Sequence, residues 1–231
     1  MIRSLIDDFL NLIYPRTCTS CGLTLFRHEE IICSHCLIHL PKTFYHKDKT
    51  NPLFSLFWGK IPLQMIASFY FFNKGNKVQN FIHLLKYKNR PDIGVYIGKR
   101  YGGLIKTQKI FASVDLIIPV PLHPTKQKLR GYNQAEVFAD RLSQSMNIPV
   151  DIKSFIRSEA TETQTRKSKL ERWENVKNKF IVTNQENIED KHILLVDDVI
   201  TTGSTLEACA SVLLQCPGVK ISMASIAVAH H

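Results

Sequence analysis

Two adjacent carboxylates, Asp197 and Asp198, stand just before the run Thr201-Thr202-Gly203-Ser204-Thr205, in which every residue except the glycine carries a hydroxyl. Such a run at the entrance to a helix presents successive backbone N–H groups at Thr202, Gly203, Ser204 and Thr205, a cradle for a phosphate dianion. Gly203 permits the tight turn and close backbone approach that the cradle needs. The two acids supply acceptors suited to a sugar diol or to an oxygen-ligated magnesium ion. A plain helix cap accounts for one hydroxyl. It leaves the rest of the ordered set, and both acids, without a reason. Neither Gly-x4-Gly-Lys-Ser/Thr nor Gly-x-Gly-x2-Gly occurs in the chain, which excludes the common nucleotide and dinucleotide loops.

A second group of donors lies near the start. Cys18-x2-Cys21 and Cys33-x2-Cys36 form two hooks. Paired hooks of this spacing place four thiolates at the corners of a tetrahedron, a structural zinc site with no position left for water. A disulfide framework fits small exported domains better, and an iron–sulfur cluster uses the same ligand type; zinc is the reading the doubled hook favours. Cys209 and Cys216 share one face of a helical stretch and read as small core residues.

The elements that must hold these groups follow from the hydrophobic pattern. Ile193 to Val196 is a continuous apolar run, as in a strand of a parallel sheet buried on both faces. Residues 205–215 read as the following helix, so the acids and hydroxyls fall at the carboxyl end of a strand, where open α/β sheets bind ligands. Leu116 to Val120 is a second buried strand. Asn133, with Glu136 three residues on, opens a helix through Met146 in the manner of a capping box. Between them, His123, Lys126, Lys128 and Arg130 lie on an expected loop. Ile2, Leu5, Ile6, Phe9, Leu10 and Ile13 recur at helical spacing, and Asp7 and Asp8 break any secretory core. Residues 158–178 are polar, with Thr161, Gln164 and Arg172 among them, and lack an apolar stripe.

The chain has 231 residues and a formal net charge of +10, with 44% hydrophobic residues, a globular composition. Lysines and arginines crowd the stretch from Lys74 to Arg130 against Asp92 and Asp115 alone, which attracts anionic partners. No stretch approaches the roughly 20 apolar residues of a membrane span. These features predict a cytoplasmic protein without membrane insertion: a docked helix and four-cysteine zinc ribbon over residues 1–55, then an α/β domain over residues 60–231.

The strand, acid pair and Thr201–Thr205 loop resemble the binding loop of type I phosphoribosyltransferases. Further segments are similar to the competence protein F (ComF) family: Asp115-Leu-Ile-Ile-Pro-Val-Pro-Leu-His-Pro with the Lys126–Glu136 stretch, Leu85-Lys-Tyr-Lys88, Thr161-x2-Gln164, and the cysteine hooks. That resemblance implies a parallel-sheet type I phosphoribosyltransferase fold with a small N-terminal zinc ribbon. It implies phosphoribosyl pyrophosphate as ligand together with magnesium. Thr201, Thr202, Gly203, Ser204 and Thr205 would hold the 5′-phosphate, and Asp197 and Asp198 the ribose or magnesium. Lys86, Lys126, Arg130 and Arg172 would be the pyrophosphate cations, with residues 158–178 a flap. Two departures bear on activity. The position that carries an aspartate base in hypoxanthine-type enzymes is Thr201 here, and no cysteine precedes Cys18 to serve as a glutaminase nucleophile. Phosphoribosyl transfer to an acceptor that the sequence does not identify, in DNA uptake during natural transformation, is the implied role. The alternative is a non-catalytic accessory of transformation acting with other competence proteins. It would bind single-stranded DNA through the ribbon and the basic face, with Tyr87, Tyr101 or Phe81 stacking on bases.

Overall fold

The computed structural model describes residues 14–158 and 179–229. The expected N-terminal helix, the flap with Arg172, and His230 and His231 lie outside the described residues.

A four-stranded parallel sheet organises the chain, in the order β1 (Leu63–Phe72), β6 (Lys220–Ala229), β5 (His192–Ile200), β2 (Leu116–Pro119). The register runs Ile117↔Leu194 and Pro119↔Val196 on one side of β5, and Val196↔Ala224 and Asp197↔Ser225 on the other. Strand β5 is longer than its apolar run suggests. Pairing with β6 continues past the acids to Ile200↔Val228, because the neighbouring strand supplies backbone partners whatever the side chains are.

Alternate residues of β5 enter opposite cores: Leu194 and Val196 on one face, Ile193 and Leu195 on the other. This is the two-sided burial expected of a parallel sheet. The first face is covered by α2 (Lys77–Tyr87), α3 (Pro91–Ile105), the short α4 (Lys109–Ala112) and α6 (Gln134–Met146). Helices α3 and α6 approach very closely. A Cβ on Gly98 would lie 2.7 Å from Arg141 Cβ and 2.9 Å from the Phe138 carbonyl oxygen, so only a bare backbone fits. The second face carries α7 (Ser204–Leu213) and the antiparallel hairpin β3 (Phe155–Arg157)–β4 (Phe180–Val182), with Phe155 and Phe180 stacked at 5.6 Å.

The expected loop before α6 is instead largely helical: α5 spans Pro124–Arg130. Proline at its first turn supplies a preset φ, and His123 Nδ1 accepts the Thr125 N–H at 3.2 Å. The start of α6 matches the expected cap, with Asn133 Oδ1 accepting the Ala135 N–H at 3.0 Å and its Nδ2 donating to Glu136 Oε1 at 3.0 Å.

The cysteine-bearing segment, with α1 (Ser34–His39), packs on the first face; Cys18, Cys33 and Cys36 share a core with Val78, Phe81 and Leu85 of α2. Farther along, Phe57 reaches the second face. Among the described residues no helix is long and apolar enough to cross a membrane. Two residues expected to stack on bases are unavailable. Phe81 and Tyr101 are fully buried, Phe81 on the inward side of α2 and Tyr101 stacked 4.7 Å from Phe69, whereas Tyr87 is 62% exposed.

Candidate functional site

At the carboxyl ends of β2 and β5 lies an open cavity of about 410 Å³. Four elements contribute to it. Strand β5 and the turn after it bring Asp197, Asp198, Thr201 and Thr205; α2 brings Lys86 and Tyr87; the β2–α6 connection brings Lys126 and Arg130; β3 brings Arg157. A smaller concavity adjoins it, lined by Asp197, Thr201, Gly203, Ser204 and Thr205.

The hydroxyl loop is shaped by its glycine. Gly203 has φ +75°, and an added Cβ would stand 2.8 Å from Phe57 Cζ, so the loop is pressed onto that ring. Helix α7 begins directly after it with no cap from Gly203 itself; Thr202 Oγ1 accepts the Ser204 N–H at a long 3.4 Å, while Thr201, Thr202, Ser204 and Thr205 remain exposed. The hydroxyls of Thr202 and Ser204 lie 3.0 Å apart. First-turn N–H groups that no side chain caps are the donors an anion takes up. Glu207, buried in the first turn, is held by Lys60 at 2.9 Å.

The acid pair is asymmetric. Asp198 is buried and paired with Lys86, Nζ to Oδ1 2.9 Å. Asp197 Oδ1 accepts the Asp198 N–H at 2.7 Å. Burial, and then the adjacent Asp198 charge, push the Asp197 carboxyl up to about 7. With Asp198 matched by Lys86 and Asp197 half neutral near pH 7, the cations Lys126, Arg130 and Arg157 leave the cavity net positive. Such a cavity suits a polyanion.

Arg130 donates to Gln134 Oε1 at 2.7 Å and stands over the Tyr87 ring at 5.3 Å. Arg157 is a residue that the sequence alone does not single out. Its guanidinium lies 5.4 Å from the Phe180 ring centre, its Nε is buried with no hydrogen-bond partner, and burial pushes its pKa down. A buried N–H without a partner is costly, and the half-buried guanidinium that carries it lines the cavity as a cation not matched by a carboxylate among the described residues. Only its place at the end of a short apolar strand, beside the polar segment, hints at this position.

The four hook cysteines converge: Cys18, Cys21, Cys33 and Cys36 hold their sulfurs within 4.8 Å of one another, with Cys21 and Cys33 Sγ 3.8 Å apart. A tetrahedron with Zn–S bonds of about 2.3 Å has edges of about 3.8 Å. The four residues could therefore bind a metal such as zinc. Burial works against ionisation of Cys18, Cys33 and Cys36, but backbone N–H groups of Cys33, Cys21 and Ser20 still hold Cys18 down at about 7. Burial and the neighbouring thiols push Cys36 up to about 12. A divalent cation removes that conflict by ionising all four. Cys209 is different in kind: burial raises its thiol far above the ordinary range, so it stays a neutral core residue.

The phosphoribosyl transferase domain profile matches residues 133–231. Competence protein F of Haemophilus influenzae is 40% identical over 100 residues, 43% of this chain and 44% of that protein, so the match spans under half of that relative's length. DNA utilization protein YhgH of Escherichia coli K12 is 28% identical over 205 residues, covering 86% of this chain and 78% of that protein. Among solved structures, glutamine phosphoribosylpyrophosphate amidotransferase from Bacillus subtilis aligns at a TM-score of 0.42 and 18% identity, over 61% of this chain and 30% of the other.

Proposed function

Since this chain belongs to the competence protein F family and carries a parallel-sheet, phosphoribosyltransferase-like fold, we propose that its cavity binds phosphoribosyl pyrophosphate with magnesium, in the service of DNA uptake. One observation carries the reading: the acid pair, Thr201 and Thr205 of the hydroxyl loop, and the cations Lys86, Lys126, Arg130 and Arg157, drawn from four separate elements, line one open cavity.

In this account the N–H groups and hydroxyls of Thr201–Thr205 take the 5′-phosphate, favoured by the positive end of α7. Asp197 and Asp198 accept hydrogen bonds from the ribose diol. Lys126, Arg130 and Arg157 meet the pyrophosphate, joined by Lys86 as Asp198 turns to the ligand; Arg172 is assigned to the same anion. Magnesium, when bound, neutralises pyrophosphate and makes it a better leaving group. Asp197 and Asp198 are the carboxylates that would hold it, directly or through water, and loss of the Asp197 proton accompanies its arrival. The work of the protein is positional and electrostatic: fixed donors lower the cost of charge that develops on leaving pyrophosphate. Transfer requires an acceptor, and a threonine in place of the purine-type base at position 201 argues for an acceptor whose nucleophilic atom gives up no proton to that position. The cysteine site, in the same account, holds structural zinc.

Titration calorimetry tests this directly. Wild-type protein binds phosphoribosyl pyrophosphate in magnesium buffer, and the double variant Asp197→Asn, Asp198→Asn does not. Equal heats from the two proteins overturn the assignment.

The exposure of Tyr87 beside Arg130 and Lys86 at the cavity mouth favours a second reading, single-stranded DNA lying across this rim. Base stacking on an aromatic side chain contributes about 1–3 kcal/mol per base. On this reading Tyr87→Ala weakens binding to an oligonucleotide, and log affinity falls linearly with log salt. A flat salt plot removes it.

A further inference from the structure

Helix α2 touches both chemical centres. At its start, Ser20, fully buried between Cys18 and Cys21, donates from Oγ to the Lys77 carbonyl at 3.2 Å, and Asn80 Nδ2 donates back to the Ser20 carbonyl at 2.8 Å. At its end, Lys86 holds Asp198 at 2.9 Å, and the Tyr132 hydroxyl donates to the Leu85 carbonyl. Gln79 and His83 line the sugar-phosphate cavity and also the groove beside the Cys18–Cys21 turn. The inward residues Val78, Phe81 and Leu85 share one core with Cys18, Cys33 and Cys36. From Asn80 to Lys86 is six residues, about 9 Å of helix. A helix this short moves as one body.

We propose that the cysteine metal site and the ligand cavity are energetically linked through α2, with Ser20 and Asn80 as positioning residues for Lys86. A metal ion fixes the Cys18–Cys21 turn and so aims the Ser20 carbonyl at Asn80. Without the ion the four sulfurs lose their common tether, the two hydrogen bonds to α2 loosen, and Lys86 is no longer held at the cavity wall, from which it turns from Asp198 to the pyrophosphate. Linkage is reciprocal: if metal tightens ligand binding by some factor, ligand tightens metal binding by the same factor. The inference rests on the cavity being the sugar-phosphate site, but the contacts along α2 exist independently of which ligand fills it.

The test uses the full chain loaded with zinc. Zinc affinity is measured by competition with a chelator of known strength, with and without saturating phosphoribosyl pyrophosphate and magnesium. Ligand raises zinc affinity about tenfold in wild type and leaves it unchanged in Asn80→Ala, a contrast that also controls for zinc bound by the ligand itself. Asn80→Asp, which keeps the volume and loses the donor, serves if the alanine variant does not fold. In parallel, amide exchange over residues 77–87 accelerates when zinc is removed. Unchanged zinc affinity in a wild-type protein that binds the ligand by calorimetry overturns the linkage, as does unchanged exchange in 77–87. If wild type binds no phosphoribosyl pyrophosphate at all, the proposed function falls, and the exchange measurement alone decides whether metal holds α2.

Discussion

Replacing Asp197 with asparagine should make the ligand-free protein more stable while destroying its ligand site. The carboxyl is pushed up to about 7 from an unfolded value of 3.8 by burial and by the adjacent Asp198. A raised folded pKa means that the native state holds a proton the unfolded chain has released. The wild type therefore loses stability progressively as pH rises from about 4 to about 7, and the loss is complete above that window. A shift of about 3 units corresponds to at most about 4 kcal/mol. Solvent reaches part of this side chain, so about 2 kcal/mol is the working figure. Asparagine keeps the acceptor for the Asp198 N–H and carries no charge at any pH. Urea denaturation of wild type and Asp197→Asn should give nearly equal stabilities at pH 4 and a variant more stable by about 2 kcal/mol at pH 8. A variant no more stable than wild type at pH 8 refutes the burial of Asp197 beside the Asp198 charge as the source of its raised pKa.

Other substitutions probe other parts. Gly203→Ala sets a Cβ 2.8 Å from Phe57 Cζ at a φ of +75°; it should cost about 2–4 kcal/mol in denaturant unfolding, and a cost under about 0.5 kcal/mol would mean that the loop does not rest on that ring. Arg157→Gln should weaken binding of phosphoribosyl pyrophosphate and of free pyrophosphate about tenfold or more without lowering thermal stability, whereas a lower melting temperature with intact affinity makes the residue structural only. Binding of ribose 5-phosphate in the same calorimeter shows which phosphoryl group Arg157 meets. Cys36→Ser should abolish bound zinc by elemental analysis and lower stability by several kcal/mol; full zinc occupancy in that variant contradicts a four-thiolate site.

Much of the fold and site is legible in the linear chain, and for identifiable reasons. A strand buried on both faces writes itself as Ile193-Leu-Leu-Val196, and the acids and hydroxyls that follow are contiguous, so no long-range contact is needed to find them. The cysteine hooks declare themselves by spacing. What stays hidden depends on residues far apart. The Lys86–Asp198 pair joins two positions widely separated along the chain; Phe57 beneath Gly203 and Ser20 against α2 are likewise products of packing. Tyr101 reads as available for stacking because tyrosine tolerates either environment, yet it lies among Phe69, Phe138 and His46. Helix α5 escapes the sequence pattern because proline and glycine at its two ends read as loop residues, whereas at those positions they start and stop a helix. Arg157 has no pattern around it; only its place in the cavity wall, with a buried Nε that has no hydrogen-bond partner, marks it.

The most direct measurement is a crystal structure of the full chain soaked with phosphoribosyl pyrophosphate and magnesium. The 5′-phosphate is expected within hydrogen-bond reach, about 2.7–3.2 Å, of the N–H groups at Thr202–Thr205, with the ribose hydroxyls facing Asp197 and Asp198, and Lys86 released from Asp198. An empty cavity at saturating ligand, or the sugar phosphate seated elsewhere with the Lys86–Asp198 pair intact, would contradict that assignment.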